Sequence, residues 1–185
     1  MSNSGVKPGR LRDVLLLDRP VFRDARGVFS ELWHEARYRE AGLAIDFVQD
    51  NFSRSSQHTL RGLHYQVRHP QAKLVTCVRG EIWDVAVDLR PDSDTFGQWE
   101  SVVLSDENGR QIFVPPGFAH GFLVLSEEAE VIYKCDRHYD PSDEFGIHWK
   151  DPFLNIDWPV SDAPLLSPKD EDLPCWNDVP EDRRP

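Results

Sequence analysis

An all-β sandwich or barrel is the fold this sequence predicts, and three observations carry the prediction. Short apolar runs of strand length recur at near-regular spacing from residue 14 to residue 134. Glycine, proline, aspartate and asparagine punctuate the gaps between them, which is the chemistry of tight reversals. Two of the runs, residues 60–66 and 116–122, each set a histidine (His64, His120) among apolar and aromatic neighbours. Two histidines brought together inside a small barrel would make a pocket able to move protons.

The elements follow in order. Residues 14–17 and then Pro20, Val21 and Phe22 read as a first strand. The Asp24-Ala25-Arg26-Gly27 segment reads as a turn, and 28–33 resumes a strand. Residues 34–43 are charged with Ala, Tyr and Leu interspersed, and are the best helix candidate, a short one. A strand with polar side chains on one face is expected at 47–53, a polar turn at 55–59, and the first histidine strand at 60–67.

His69, Pro70 and Gln71 turn the chain. Residues 73–78 and 82–89 flank Arg79-Gly80-Glu81 and read as a hairpin. Alternation within 82–89 puts Ile82, Asp84, Ala86 and Asp88 on one face, and Trp83, Val85, Val87 and Leu89 on the other. Two carboxylates on a face with small apolar residues predict a partly polar interior. Further strands are expected at 99–104, 111–114, 118–125 and 129–134. After Trp149 the chain is proline-rich and irregular, and 177–185 is charged and expected to be frayed.

Composition narrows the class. A chain of 185 residues suits one domain, with its core over about 14–170. No apolar run is long enough to cross a membrane, and residues 1–12 hold no apolar signal-peptide centre, so the cytoplasm is the expected compartment. Cys77, Cys135 and Cys175 are scattered, odd in number and form no CxxC pair, so neither a disulfide framework nor a zinc knuckle is indicated. A net charge of −11 argues against general nucleic-acid binding, yet leaves room for a local cluster of Arg and Lys around a small anion.

The histidines admit three readings: core residues with satisfied hydrogen bonds, metal ligands, or proton-transfer groups. The metal reading is weakened by Gln66 two positions after His64 and by Lys73 where a carboxylate would be wanted, since a cation beside a metal is unfavourable. The proton-transfer reading gains from the company of Arg61, Lys73, Tyr133, Lys134, Lys169 and Asp170. An Asp on a His fixes its tautomer, a Lys can stabilise an enolate, and a Tyr can return a proton to the opposite face. These are the parts needed to invert a carbon next to a ketone.

Several motifs then make the sequence specific. Residues 22–31 are similar to the pattern F-x-D-x-R-G-x-F-x-E, and Phe47-Val48-Gln49-Asp50-Asn51 follows. The segments 60–66, 72–75, 80–90, 116–122, Tyr133-Lys134, 144–147, Asp157-Trp158-Pro159 and 166–170 continue in order. Together they resemble the dTDP-4-dehydrorhamnose 3,5-epimerases over nearly the whole chain, from about 14 to 170. The resemblance implies a cupin-like jelly-roll barrel with short peripheral helices. It implies a homodimer that needs neither metal nor organic cofactor. It also implies epimerisation of dTDP-4-dehydro-6-deoxy-D-glucose at C3 and C5 to dTDP-4-dehydro-L-rhamnose, on the route to dTDP-L-rhamnose.

By matching position, the resemblance makes His64 the base, Asp170 its carboxylate partner, Tyr133 the acid on the other face and Lys73 the group near the C4 oxygen. His120 becomes a pocket residue that binds substrate. Arg26, Glu31, Gln49, Asn51, Arg61, Glu144 and Lys169 match ligand-contact positions, with Arg26 and Glu31 reaching a neighbouring subunit's site. Planar guanidinium forks such as those of Arg26 and Arg61 suit a diphosphate. Tyr139 matches a position that stacks on thymine, and Phe22 and Phe29 are candidates to line the nucleotide pocket or to pack in the core. Ala72, where Gly is commoner, and His58-Thr59 before Leu60 depart from the pattern without removing a proposed catalytic group. Three rivals stand beside this reading: an enzyme inverting only one centre of a related dTDP-4-keto-6-deoxy sugar, a metal-dependent cupin oxygenase, and a non-catalytic sugar-binding cupin.

Overall fold

The structure is a computed structural model that describes residues 5–185. Thirteen strands and two short α-helices appear among them: β1 (Gly5–Pro8), β2 (Leu15–Asp18), β3 (Val21–Asp24), β4 (Gly27–Ser30), α1 (Glu35–Glu40), β5 (Gln49–Ser56), β6 (Leu60–Gln66), β7 (Lys73–Arg79), β8 (Glu81–Asp88), β9 (Trp99–Ser105), β10 (Arg110–Val114), β11 (Phe118–Val124), β12 (Glu128–Cys135), β13 (Glu144–Gly146) and α2 (Pro168–Glu171). A six-stranded sheet runs β1-β2-β10-β7-β12-β5, a five-stranded sheet runs β13-β6-β11-β8-β9, and β3 and β4 form a separate hairpin. Every paired strand in these sheets is antiparallel. The all-β expectation is met, as a jelly roll of two sheets facing each other.

Period-two alternation decides what lies between the sheets. On β7, Val75 and Cys77 enter the inter-sheet core, as do Ala129 and Val131 on β12 and Ile82 and Ala86 on β8. Leu74 of β7 faces the other way and packs with Leu17, Tyr38, Leu43 and Phe113, beneath α1. Trp83, Val85, Val87 and Leu89 of β8 belong to a third cluster that the segment after Trp149 covers with Trp158, Trp176 and Val179. The two faces read from residues 82–89 are therefore the two faces observed.

Several elements differ from the sequence reading. The single first strand is two: β2 stays in the six-stranded sheet, and Arg19 and Pro20 separate it from the β3–β4 hairpin. The 73–78/82–89 hairpin does not exist. β7 and β8 lie in different sheets, and Gly80 (φ 75°) turns the chain from one to the other. A Cβ at Gly80 would stand 2.2 Å from the Glu128 carbonyl oxygen, so only glycine makes this crossing. The helix is shorter than 34–43 because His34 caps it: its Nδ1 accepts the Arg37 amide at 3.4 Å, and Ala41 closes the other end.

The closing residues, expected to be frayed, make specific contacts. Val179 is buried, the Tyr65 hydroxyl donates to the Arg183 carbonyl at 3.0 Å, and the Arg184 guanidinium lies 4.9 Å from the Trp176 ring centre. Asp88 is buried and accepts from Arg90 Nη2 (2.8 Å), Ser93 Oγ (2.6 Å) and Thr95 Oγ1 (2.6 Å). Burial pushes its pKa up, but these bonds overcome that and hold it down at about 2. It anchors the loop after β8 and takes no part in the pocket.

Candidate active site

The inner faces of the sheets are apolar at one end and polar at the other. Along β7 the inward series is Lys73, Val75, Cys77, and along β12 it is Tyr133, Val131, Ala129. β11 pairs with β6 so that His120 stands opposite His64. This pairing is unusually close. A Cβ on Gly62 would lie 2.7 Å from Gly121 Cα, and one on Gly121 would lie 2.7 Å from the Arg61 carbonyl oxygen. Gly62 and Gly121 thus set the spacing of the two histidine strands.

The resulting cavity has a volume of about 460 Å³, within the range of small-molecule sites. His64, Lys73, His120, Tyr133 and Asp170 all line it. Gln49, Asn51, Arg61, Tyr139, Glu144 and Lys169 line it too. The sequence brought these eleven residues forward from eight separate segments, and the fold collects them in one place.

The central pair is His64 and Asp170, with Nε2 to Oδ1 at 2.6 Å across 106 positions of sequence. The aspartate arrives on α2, whose start is written locally. Ser167 is the N-cap, its Oγ accepting the Asp170 amide at 3.1 Å, and Pro168 occupies the first turn. The segment before it docks on β6, where the Leu60 amide donates to the Leu165 carbonyl at 3.0 Å. Asp170 is buried, which pushes its pKa up, but the His64 bond and charge outweigh burial, and the carboxyl is held below its usual value. A carboxylate only accepts, so Nε2 of His64 carries the proton and Nδ1 is left as the basic nitrogen. Glu144 Oε1 stands 3.9 Å from that Nδ1.

His120 has its own carboxylate: Asp84, fully buried on β8, meets its Nε2 at 2.9 and 3.0 Å. Asp84 therefore supports a pocket histidine. Among the described residues no three His, Cys, Asp or Glu side chains gather as a metal ligand set.

Lys73 and Tyr133 are conditioned by burial. Desolvation lowers the Lys73 pKa, while Cys135 and the charges of Glu144 and Asp84 oppose that shift. Burial raises the Tyr133 pKa, helped by Cys135 and Glu144 and opposed by Arg61, so the phenol holds its proton at neutral pH. Among the described residues neither Lys73 nor Arg61 has a salt-bridge partner, whereas most other cations do. Arg61 is held instead by a neutral contact, its Nε donating to Ser55 Oγ at 3.0 Å. The pocket thus carries unneutralised positive charge in a chain whose net charge is −11.

At the mouth, Glu144 collects two donors, the Tyr139 hydroxyl at 2.6 Å and the Lys169 ammonium. Burial raises its pKa, but Lys169 and Tyr139 prevail and keep it ionised. β13, absent from the sequence reading, puts it there by pairing with β6. Gln49 Oε1 accepts the Tyr139 amide at 2.9 Å and positions that ring, which stays half exposed.

Four proposed contacts lie elsewhere. Arg26, Phe22 and Phe29 sit on the β3–β4 hairpin, and Glu31 follows it, bound to Arg37. Arg26 pairs with Asp24, and Phe22 and Phe29 are 57% and 71% exposed. None of the four lines this chain's pocket, and neither phenylalanine is in the core. Conversely, Phe52, Ser53, Gln71, Phe122 and Ser167 line the cavity without having been singled out. Ser53 could have been found, because it continues the Gln49, Asn51 alternation on β5.

A jelly roll holding a histidine–aspartate pair, a half-buried lysine and a protonated tyrosine around one cavity defines a sugar-epimerase-like class of cupin. The family model described as dTDP-4-dehydrorhamnose 3,5-epimerase matches residues 8–178, and the chain belongs to that family. It is 55% identical over 168 residues to the dTDP-4-dehydrorhamnose 3,5-epimerase of Pseudomonas aeruginosa, covering 90% of this chain and 93% of that protein. The dTDP-6-deoxy-D-glucose-3,5-epimerase of Legionella pneumophila, solved with dTDP-4-keto-L-rhamnose, superposes with a TM-score of 0.93. It is 46% identical, over 98% of this chain and 97% of that one. A 4-keto-6-deoxy sugar epimerase from the novobiocin biosynthetic gene cluster of Streptomyces spheroides gives a TM-score of 0.88. It is 41% identical, over 94% and 88% of the two chains.

Proposed function

We propose that this protein is a single-domain, cofactor-independent isomerase that inverts C3 and C5 of dTDP-4-dehydro-6-deoxy-D-glucose to give dTDP-4-dehydro-L-rhamnose, in dTDP-L-rhamnose biosynthesis. The observation that carries the reading is the 2.6 Å His64–Asp170 pair facing the same cavity as Lys73 and Tyr133. His64 Nδ1 takes the proton from the carbon next to the C4 ketone. The electron pair moves onto the C4 oxygen, where the Lys73 ammonium stabilises the enolate. Tyr133 gives its phenolic proton to the opposite face, so the configuration inverts. Asp170 holds the imidazole and stabilises the imidazolium that forms. Before the second centre reacts, His64 releases its proton and Tyr133 regains one, both by exchange with solvent. His120, steadied by Asp84, contributes to binding the sugar.

The nucleotide half follows from charge and shape. Arg61 meets the diphosphate with its free fork, Tyr139 offers a face to thymine, and Gln49, Asn51, Glu144 and Lys169 complete the contacts. Arg26, Glu31, Phe22 and Phe29 fit a homodimer in which the hairpin reaches the neighbouring subunit's pocket. Support comes from the exposed apolar side chains of Phe22, Val28 and Phe29 on the hairpin, and of Val48 and Phe52 at the outer edge strand β5. Apolar patches and open strand edges of this kind call for a cover. Among the described residues no helix is long and apolar enough to cross a membrane, and we place the enzyme in the cytoplasm.

Incubating the protein with dTDP-4-dehydro-6-deoxy-D-glucose in D₂O tests the reading. NMR of the product should show deuterium at both C3 and C5, with both configurations inverted, and activity should survive EDTA. Exchange at one carbon only would establish the single-centre alternative, and loss of activity with EDTA would favour a metal-dependent cupin.

A further inference from the structure

Among the described residues, two buried side-chain polar atoms lack a hydrogen-bond partner: Arg19 Nε and Ser53 Oγ. Arg19 is otherwise engaged, its Nη1 donating to Ser30 Oγ. Ser53 is not, and it alone of the two lines the cavity. A hydroxyl removed from water without a partner destabilises the protein that keeps it, so such a group calls for a ligand that completes it.

Its place on β5 says which part of a ligand it meets. Alternation puts Gln49, Asn51, Ser53 and Ser55 on one face of the strand. Gln49 holds the Tyr139 amide, and Ser55 holds Arg61 Nε. Asn51 is paired in register with Tyr133, Ser53 with Val131, and Ser55 with Ala129. Ser53 therefore stands one step from the strand level of Tyr133 and one step from the serine that anchors Arg61. If Tyr133 works on the hexose and Arg61 on the diphosphate, the hydroxyl between them lies at the junction of the two.

Resting on the function proposed above, we infer that Ser53 is a substrate-binding residue whose Oγ donates a hydrogen bond to the β-phosphate end of a nucleoside diphosphate-sugar, beside the glycosidic oxygen. It reads where the sugar begins and keeps C3 and C5 in register with His64 and Tyr133. Because no protein partner is lost when its hydroxyl is removed, its contribution appears in binding and not in folding.

The test titrates thymidine diphosphate and thymidine monophosphate into the wild type, Ser53→Ala and Ser53→Thr by calorimetry, with Tm measured for each protein. Ser53→Ala should bind the diphosphate about tenfold more weakly, bind the monophosphate unchanged, and melt no lower than the wild type. Ser53→Thr keeps the hydroxyl and should recover the diphosphate affinity. Unchanged diphosphate affinity in Ser53→Ala, equal losses for both nucleotides, or a lowered Tm would each overturn the inference while leaving the function intact. A wild type that binds neither nucleotide would overturn the function itself.

Discussion

His64→Ala should lower epimerisation by about 10²–10⁴-fold and suppress deuterium uptake at both ring carbons, while thymidine diphosphate binds as before. The size follows from position. A general base placed for proton transfer contributes roughly 10²–10⁴-fold, and His64 sets a free Nδ1 into the cavity with a carboxylate behind it. His120 is the only other histidine lining it, and it is more deeply enclosed, with Asp84 on its Nε2. Substitution by alanine removes the base and leaves Arg61, Tyr139 and Lys169 untouched, so nucleotide affinity is the control. Deuterium uptake at the wild-type rate in His64→Ala would move the base to another residue.

Lys73→Met should cost about 10²–10³-fold in kcat with little change in nucleotide affinity, measured by steady-state kinetics and calorimetry. Enolate formation moves a full negative charge onto the C4 oxygen. A fixed cation in a poorly solvated pocket stabilises that charge more than the ground-state ketone, and lost oxyanion donors of this kind cost effects of this size. Methionine keeps the length and the apolar stem while removing the charge, so packing between β7 and β12 survives. The lowered pKa of Lys73 adds a sign. Its ammonium is lost at a lower pH than that of a solvated lysine, so the alkaline limb of the kcat profile should fall earlier than the usual lysine range, and Lys73→Met should lack that limb.

Much of this site was legible because strand periodicity is a local property. Alternation alone sorted β8 into its two faces and placed Asp84 inside. Motif resemblance named the five residues proposed to surround the reacting carbon, and the fold puts all five on one cavity. Pairing was not legible. Nothing in residues 73–89 says that β7 and β8 join different sheets, because periodicity fixes a face and not a neighbour. Strands as short as β1 and β13 carry too few residues to show a period, so the element that delivers Glu144 was missed. The end of the chain read as loose because its charges outnumber its anchors, yet Trp176 and Val179 are enough to seat it. Alternation along β5 also reaches Ser53, but its missing hydrogen-bond partner is visible only in the fold.

The proposed mechanism stands on two proton-transfer groups acting from opposite faces of one sugar. Tyr133→Phe in D₂O separates them, since phenylalanine keeps the ring and removes only the proton. With His64 intact, the recovered dTDP-4-dehydro-6-deoxy-D-glucose should carry deuterium next to the ketone with its original configuration, returned from the face it left. Inverted product forming at the wild-type rate would contradict the two-face mechanism.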